Sequence, residues 1–231
     1  MGSEVCRAVE ADPDLDLVAG VDLDDSLDDL VEAGAEVAVD FTSPDAVKEN
    51  VRFLVDKGIH AVVGTTGLTD EDVADISKWV AEADSNVFIA PNFAVGAVLM
   101  MSLAAQAAPY FSAAEVTERH HENKADAPSG TSLRTAALMN EARDEPWPKT
   151  PDNESVGGAR GADVDGVRVH SLRVHGSVAH QEVVLGSRGE TLTIRHDSLD
   201  RSSFMPGVLL ATKKVSSIDG LVVGLENLLD L

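Results

Sequence analysis

Twelve consecutive residues, His120-His121-Glu122-Asn123-Lys124-Ala125-Asp126-Ala127-Pro128-Ser129-Gly130-Thr131, hold the densest chemistry in the chain. Two imidazoles and an ammonium can hold and move protons near neutral pH. Asp126, Ser129 and Thr131 are helix N-cap types, Pro128 suits a first turn, and Gly130 lets the backbone come close to a ligand. The N–H groups of such a helix start favour a carboxylate or phosphate. A proton-transfer group beside an anion pocket points to an enzyme acting on a small acid. The competing reading is a capped helix with a few surface histidines.

These residues must be held by the elements on either side. Ala114 to Arg119 alternates like a strand, and Thr131 to Arg143 has a helical pattern, so the run forms the loop between them. Upstream, Gly2 to Ala11 is helical, with Val5, Ala8 and Val9 on one side. Asp16 to Val21 reads as a buried strand ending at Asp22, and Leu27, Leu30 and Val31 recur at helical spacing. Val37 to Phe41, Ile59 to Val63 and Asn86 to Ala90 read as three more strands. Between them, Ser43-Pro44 opens a helix to Lys57 that Gly58 closes, and Thr69 with Asp72 makes a capping box for a helix to Glu82. An apolar helix spans Phe93 to Ala108. Strands alternating with helices imply a parallel sheet, whose ligands bind beyond the carboxyl ends of the strands. Asp22, Phe41-Thr42, Gly64-Thr65-Thr66 and Pro91-Asn92-Phe93 all fall at those ends.

The pattern changes after Phe111. Val167 to Val174, Glu182 to Leu185 and Glu190 to His196 alternate with period two, and the Pro- and Gly-rich stretch from Glu145 to Gly161 reads as a mobile loop. Ser202 to Val215 returns to helix, and Leu221 to Leu231 is an apolar tail. The fold class is therefore α/β. A parallel-sheet domain takes residues 1–93 and 202–231, and an α+β domain with a mixed or antiparallel sheet takes 94–201.

Forty acidic residues against eighteen basic give a net charge of −22, which argues against nucleic acid or an anionic membrane as partner. The acids are scattered, which fits a salt-rich cytosol where screening removes their repulsion. Cys6 is alone, so no disulfide framework exists and a reducing compartment fits; Cys6 itself suits a core position. With no signal peptide and no apolar run of spanning length, the expected location is cytoplasmic.

Asp22 at a strand end suits the ribose hydroxyls of a dinucleotide, and Leu23 offers no cation for a 2′-phosphate, which leans toward NAD over NADP. The G-x-G-x-x-G fingerprint is missing; Met1-Gly2 runs directly into a helix. The stretch Glu118-Arg119-His120-His121-Glu122-Asn123-Lys124-Ala125-Asp126-Ala127-Pro128-Ser129-Gly130-Thr131 resembles the signature of the 4-hydroxy-tetrahydrodipicolinate reductases (dihydrodipicolinate reductases) of the diaminopimelate route to lysine. Val39-Asp40-Phe41-Thr42, Gly64-Thr65-Thr66-Gly67, Ala90-Pro91-Asn92-Phe93, Arg173 with Gly176, His180, Arg201 and Phe204 support the resemblance along almost the whole chain. It implies a Rossmann-type cofactor domain, a substrate domain whose sheet builds a homotetramer, and hydride transfer from NADH or NADPH to a cyclic dicarboxylate imine. It also implies that His120 and Lys124 are the acid–base residues, His121 contacts substrate, and Gly130 and Thr131 cradle a carboxylate. Gly64, Thr65, Thr66 and Ala90, Pro91, Asn92, Phe93 would touch the cofactor, with Asp22 on its ribose. Beside a dianionic ligand, His120 and Lys124 would favour their charged forms.

The resemblance breaks at the start, where the family has a strand and a G-x-x-G-R-M-G turn. The expectation is a truncated chain or a mis-assigned start that binds nicotinamide cofactor weakly. That leaves a redox-inactive dicarboxylate-binding protein as an alternative. A metal site from His120, His121, Glu122 and His180 is disfavoured because adjacent histidines on a strand point to opposite faces. An aspartate or homoserine dehydrogenase would not account for the signature.

Overall fold

The computed structural model describes residues 1–149, 151 and 153–229. Two compact units divide the chain, Met1–Val95 with Arg201–Leu231, and Gly96–Asp200.

In the first unit α1 (Gly2–Ala11) and the short α2 (Asp28–Glu32) precede β1 (Val37–Asp40), α3 (Val47–Asp56), β2 (His60–Val63), α4 (Asp70–Val80) and β3 (Val87–Ile89). The second unit carries nearly all of α5 (Val95–Ala107), then β4 (Ala113–His120), α6 (Gly130–Glu141), β5 (Ala162–Val164), β6 (Val167–Arg173), β7 (Ala179–Ser187) and β8 (Glu190–Ser198). The chain then returns to the first unit with α7 (Met205–Lys214) and β9 (Leu221–Val223).

The first sheet is parallel throughout, in the order β1-β2-β3-β9. Ala61, Val62, Val63, Val87 and Phe88 have no exposed surface, as strands covered on both faces require. Val47, Val51, Leu54 and Val55 of α3 and Ile76 and Val80 of α4 complete that core. Thr69 caps α4 with the reciprocal Asp72 bonds that its spacing implies. Gly58 ends α3 at φ 72°, a conformation that glycine adopts without strain. Ser43 does not cap α3, because residues 44–46 form a turn whose Ala46 and Val47 N–H groups reach the Ser43 carbonyl.

Asp16 to Val21 is not a strand. Leu17 and Val18 are 38% and 51% exposed, and among the described residues nothing pairs with the segment or with the outer edge of β1. A strand exists only when a neighbour takes its N–H and C=O groups; without one, an apolar run stays irregular. The converse occurs at Leu221, where part of the expected tail pairs with β3 and closes the sheet; positions 230 and 231 lie outside the described residues.

The second sheet is mixed, in the order β5-β6-β4-β7-β8, with β4 and β6 parallel and the other pairs antiparallel. Val116, Val169, Val183 and Leu185 face inward, while Glu182 and Arg195 alternate outward. The loop from Glu145 to Gly161 has no regular element in its described residues; positions 150 and 152 lie outside them. It is tethered all the same. The Trp147 indole N–H donates to Asn140 Oδ1 at 2.6 Å, and Arg160 pairs with Glu115.

Gly207, in the first turn of α7, sits so close to Phe93 that a Cβ there would overlap the Phe93 carbonyl oxygen. Backbone cannot swing aside as a side chain can. Gly207→Ala should therefore cost about 2 kcal/mol in urea unfolding, whereas Gly186→Ala, with open space around the new methyl, should stay within about 0.5 kcal/mol of the parent. Equal midpoints for the two variants would refute the close approach.

Candidate active site

Strand periodicity places Glu118 and His120 on one face of β4 and Arg119 on the other. Glu118 is completely buried. Burying an unpaired carboxylate costs several kcal/mol, so its partners decide whether the site can exist. There are four lines of support: His120 Nδ1 at 2.5 Å, Arg173 Nη1 at 3.0 Å from each oxygen, and the Ser171 hydroxyl across the β4–β6 register. Burial alone would push this carboxyl up. The Ser171, His120 and Arg173 hydrogen bonds outweigh it and hold Glu118 below the usual carboxylate range.

The same guanidinium reaches the other way. Arg173 Nη2 donates to the Asp126 carbonyl at 2.5 Å and Nε to the Lys124 carbonyl at 3.3 Å. One side chain thus ties the carboxylate under His120 to the loop that carries Lys124. Lys124 Nζ lies 2.7 Å from Asp126 Oδ1, and this contact lowers the Asp126 pKa.

With Glu118 ionised, the short contact makes His120 Nδ1 the proton-bearing nitrogen and leaves Nε2 as an acceptor in the neutral ring. Burial lowers the His120 pKa, the positive charges of Lys124 and Arg173 push the same way, and Glu118 opposes them. The resting imidazole therefore sits on the neutral side, whereas the sequence pointed to a charged ring beside a dianion. The two agree once a ligand is considered, since incoming negative charge would raise it.

Of the three N-cap types, Ser129 and not Asp126 or Thr131 caps α6, its Oγ accepting the Ser132 N–H at 3.2 Å. Behind it a buried polar chain runs from Ser129 to Ser132 (2.8 Å), Gln181 (2.8 Å) and Thr135 (2.7 Å), fastening the helix start to β7. Gly130 opens the helix with nothing within 4 Å of where a Cβ would sit, and Thr131 follows it. His121 is exposed at the turn that Lys124 N–H closes onto its carbonyl. His180 does not join His120. It pairs with Asp197 at 2.6 Å, and its register partner is Arg119, on the opposite face.

In the first unit, the loops after β1, β2 and β3 converge. The Phe41 ring occupies the space above Gly64 that a Cβ would need, and its centroid lies 5.8 Å from that of Phe93. Phe93 and Ala90 are buried, so their side chains serve packing, while Pro91 and Thr66 are exposed and Asn92 is half-buried. Asp22 is exposed in an irregular segment, with its Oδ1 accepting the Leu23 N–H at 2.8 Å. The structure thus groups Thr65 with Thr42 and Asp40, and leaves Asp22 on its own loop.

Comparison with known proteins now decides the family. The model for the N-terminal part of dihydrodipicolinate reductase matches residues 1–93, and that for its C-terminal part matches 96–229. The chain belongs to the dihydrodipicolinate reductase family. The 4-hydroxy-tetrahydrodipicolinate reductase of Mycolicibacterium smegmatis is 58% identical over 234 residues, covering 100% of this chain and 95% of the relative. That of Nocardia farcinica is 57% identical over 235 residues, with the same coverage of each chain, 100% and 95%. A dipicolinate-bound dihydrodipicolinate reductase from a Paenisporosarcina species superposes with a TM-score of 0.89 at 37% identity, covering 98% of this chain and 94% of that one. An NAD complex of GenD2, from gentamicin A biosynthesis, has a TM-score of 0.59 at 14% identity over 93% of this chain and 83% of that one, and shares the fold alone.

Sequence reasoning gave no role to Glu118, Arg173, Asp40 or Gln181. Glu118 had a signal, since a residue two before His120 on a strand shares its face. Arg173, 53 positions after His120 (173 − 120), becomes a neighbour only through the β4–β6 register that pairs the two.

Because the native Glu118 pKa lies below its unfolded value, its stabilisation is fully present above the unfolded value and is lost as pH falls through the native one. The stability gap between the parent and Glu118→Gln should therefore be widest at neutral pH and shrink on acidification below about 4.3. Urea titrations at stepped pH measure it; a gap independent of pH would rule out an ionised Glu118.

Proposed function

We propose that this chain catalyses the NADH- or NADPH-dependent reduction of 4-hydroxy-tetrahydrodipicolinate to tetrahydrodipicolinate, a step of the diaminopimelate route to lysine. The observation that carries the proposal is the Glu118–His120 pair joined through Arg173 to the Lys124 loop, next in the chain to the capped, glycine-opened start of α6. Family membership and a relative that binds dipicolinate support the same substrate class.

In the net reaction the substrate loses its hydroxyl as water and takes up one hydride and one proton. A bound reduced nicotinamide supplies the hydride. Charge then builds on the conjugated imine, and a protein group must deliver the proton. His120 and Lys124 handle it. Lys124 brings N–H donors to the substrate, and a dianionic substrate raises the proton affinity of His120. Glu118 holds the ring by Nδ1, so the exchange occurs at Nε2. Gly130 and Thr131 receive a carboxylate at the α6 start, where aligned peptide dipoles favour negative charge, and His121 contacts the other end of the substrate.

The loop residues fit a nicotinamide dinucleotide. Gly64, Thr65, Thr66 and Ala90 to Phe93 stand beyond the ends of parallel strands, where such cofactors bind. Thr42 and Thr65 offer hydroxyls, and Pro91 offers an open backbone surface. Asp22 would accept from ribose hydroxyls, and Leu23 beside it gives a 2′-phosphate no cation, which favours NADH. We further infer a homotetramer built on the outer face of the second sheet, which presents Glu182, Arg195 and Leu172 to solvent.

The purified chain should oxidise NADH or NADPH only when 4-hydroxy-tetrahydrodipicolinate is present. His120→Ala and Lys124→Ala should each lower kcat by about 100- to 10,000-fold, with Lys124→Ala also weakening dipicolinate binding. Substrate-independent oxidation, or full activity in both variants, would sink the assignment.

A further inference from the structure

Asp40, the last residue of β1, is a buried carboxylate that the proton-transfer chemistry does not use; it is 6% exposed. Every donor around it comes from the expected cofactor loops or the helix behind them. Its Oδ1 accepts from the Thr65 hydroxyl at 2.5 Å, the Thr42 hydroxyl at 2.9 Å and the Thr42 N–H at 3.1 Å. Its Oδ2 accepts from Asn50 Nδ2 of α3 at 2.9 Å. With both oxygens engaged, Asp40 is not placed to touch a ligand itself.

Its effect is on the two threonines. A hydroxyl has one proton and two lone pairs. Thr65 gives its proton to Asp40 and spends one lone pair on the Thr42 N–H at 2.7 Å, leaving a single acceptor site. Thr42 likewise gives its proton to Asp40 and accepts from Asn50 Nδ2 at 3.3 Å, leaving one acceptor. Neither hydroxyl can donate outward without breaking a charge-assisted bond. Toward a ligand, the end of β1 and the loop after β2 therefore form a pair of acceptors.

We propose that Asp40 is a positioning residue that orients Thr42 and Thr65 as paired acceptors for a hydrogen-bond-donating part of the nucleotide. This rests on the nicotinamide-dependent reading above. The group they take is a carboxamide N–H or a ribose hydroxyl; a phosphate oxygen, an acceptor itself, is rejected. The bonds also lock the two loops to each other, so the acceptors are preorganised before the nucleotide arrives.

The test is direct binding to the whole chain by calorimetry, with NADH, its reduced acetylpyridine analogue and dipicolinate as probes. Asp40→Asn and Thr65→Val should each weaken NADH binding by about tenfold, near 1.4 kcal/mol. Thr65→Ser, which keeps the hydroxyl, should bind like the parent. Dipicolinate affinity should not change in any of them, which separates positioning from a general loss of folding. Amide exchange should quicken at Thr42 and Gly64 to Thr66 in Asp40→Asn without nucleotide. Loss of affinity for the acetylpyridine analogue in the parent assigns the donor to the carboxamide, and equal affinity assigns it to the ribose. If Asp40→Asn fails to fold, Thr65→Val against Thr65→Ser carries the test alone. Variants that bind NADH like the parent overturn the role of Asp40. A parent that binds neither NADH nor NADPH overturns the functional reading, and this proposal with it.

Discussion

A carboxylate with no solvent of its own must be surrounded by donors, and Glu118 sets that constraint on the second unit. It needs Arg173 as counter-charge, Ser171 across the strand pair, and His120 above it. Replacing such a pair by apolar groups can be neutral, whereas removing one member strands the other and costs about 3–5 kcal/mol. The arrangement is therefore weak as a source of stability and strong as a source of geometry. Because Arg173 also holds the Lys124 and Asp126 carbonyls, the position of the lysine loop follows from the same buried charge.

The scaffold around this charge explains why the groups stay put. β4 is central in its sheet, paired with β6 on one side and β7 on the other, so its carboxyl end cannot fray independently. The helix start next along the chain is pinned by the buried Ser129–Ser132–Gln181–Thr135 chain, where each polar atom is satisfied by the next. In the first unit Asp40 plays a comparable part. A second buried carboxylate collects donors from α3 and from two loops that otherwise have only turns to define them. Both units fix exposed functional loops by attaching them to an internal anion.

Much of this was legible in the sequence, for physical reasons that also mark its limits. β1, β2 and β3 announced themselves as short apolar runs bounded by turn residues, because both faces are covered. β6, β7 and β8 did so by alternation, because one face meets solvent. Asp16 to Val21 had the same apolar content and is no strand, since apolarity reports burial tendency and says nothing about a neighbour to pair with. Leu221 to Val223 was mistaken for part of a tail because three residues carry too little pattern. In the site, His120, Lys124 and the capped turn were visible by residue type within one stretch. Arg173, Asp40 and Gln181 were not, since each has a partner that only strand register or loop convergence brings near, as with Asp40 and Thr65, 25 positions apart.

The central claim is that the Glu118 carboxylate holds His120 as the Nδ1–H tautomer, with its pKa depressed until a dianion arrives. Nitrogen-15 NMR of the labelled histidine rings through a pH titration measures this directly, with His120→Asn assigning the signal. The account predicts a proton on Nδ1 near neutral pH, titration below the ordinary value of about 6.5, and an upward shift when dipicolinate is added. A ring with no tautomer preference, titrating at its ordinary value and indifferent to dipicolinate, would contradict it.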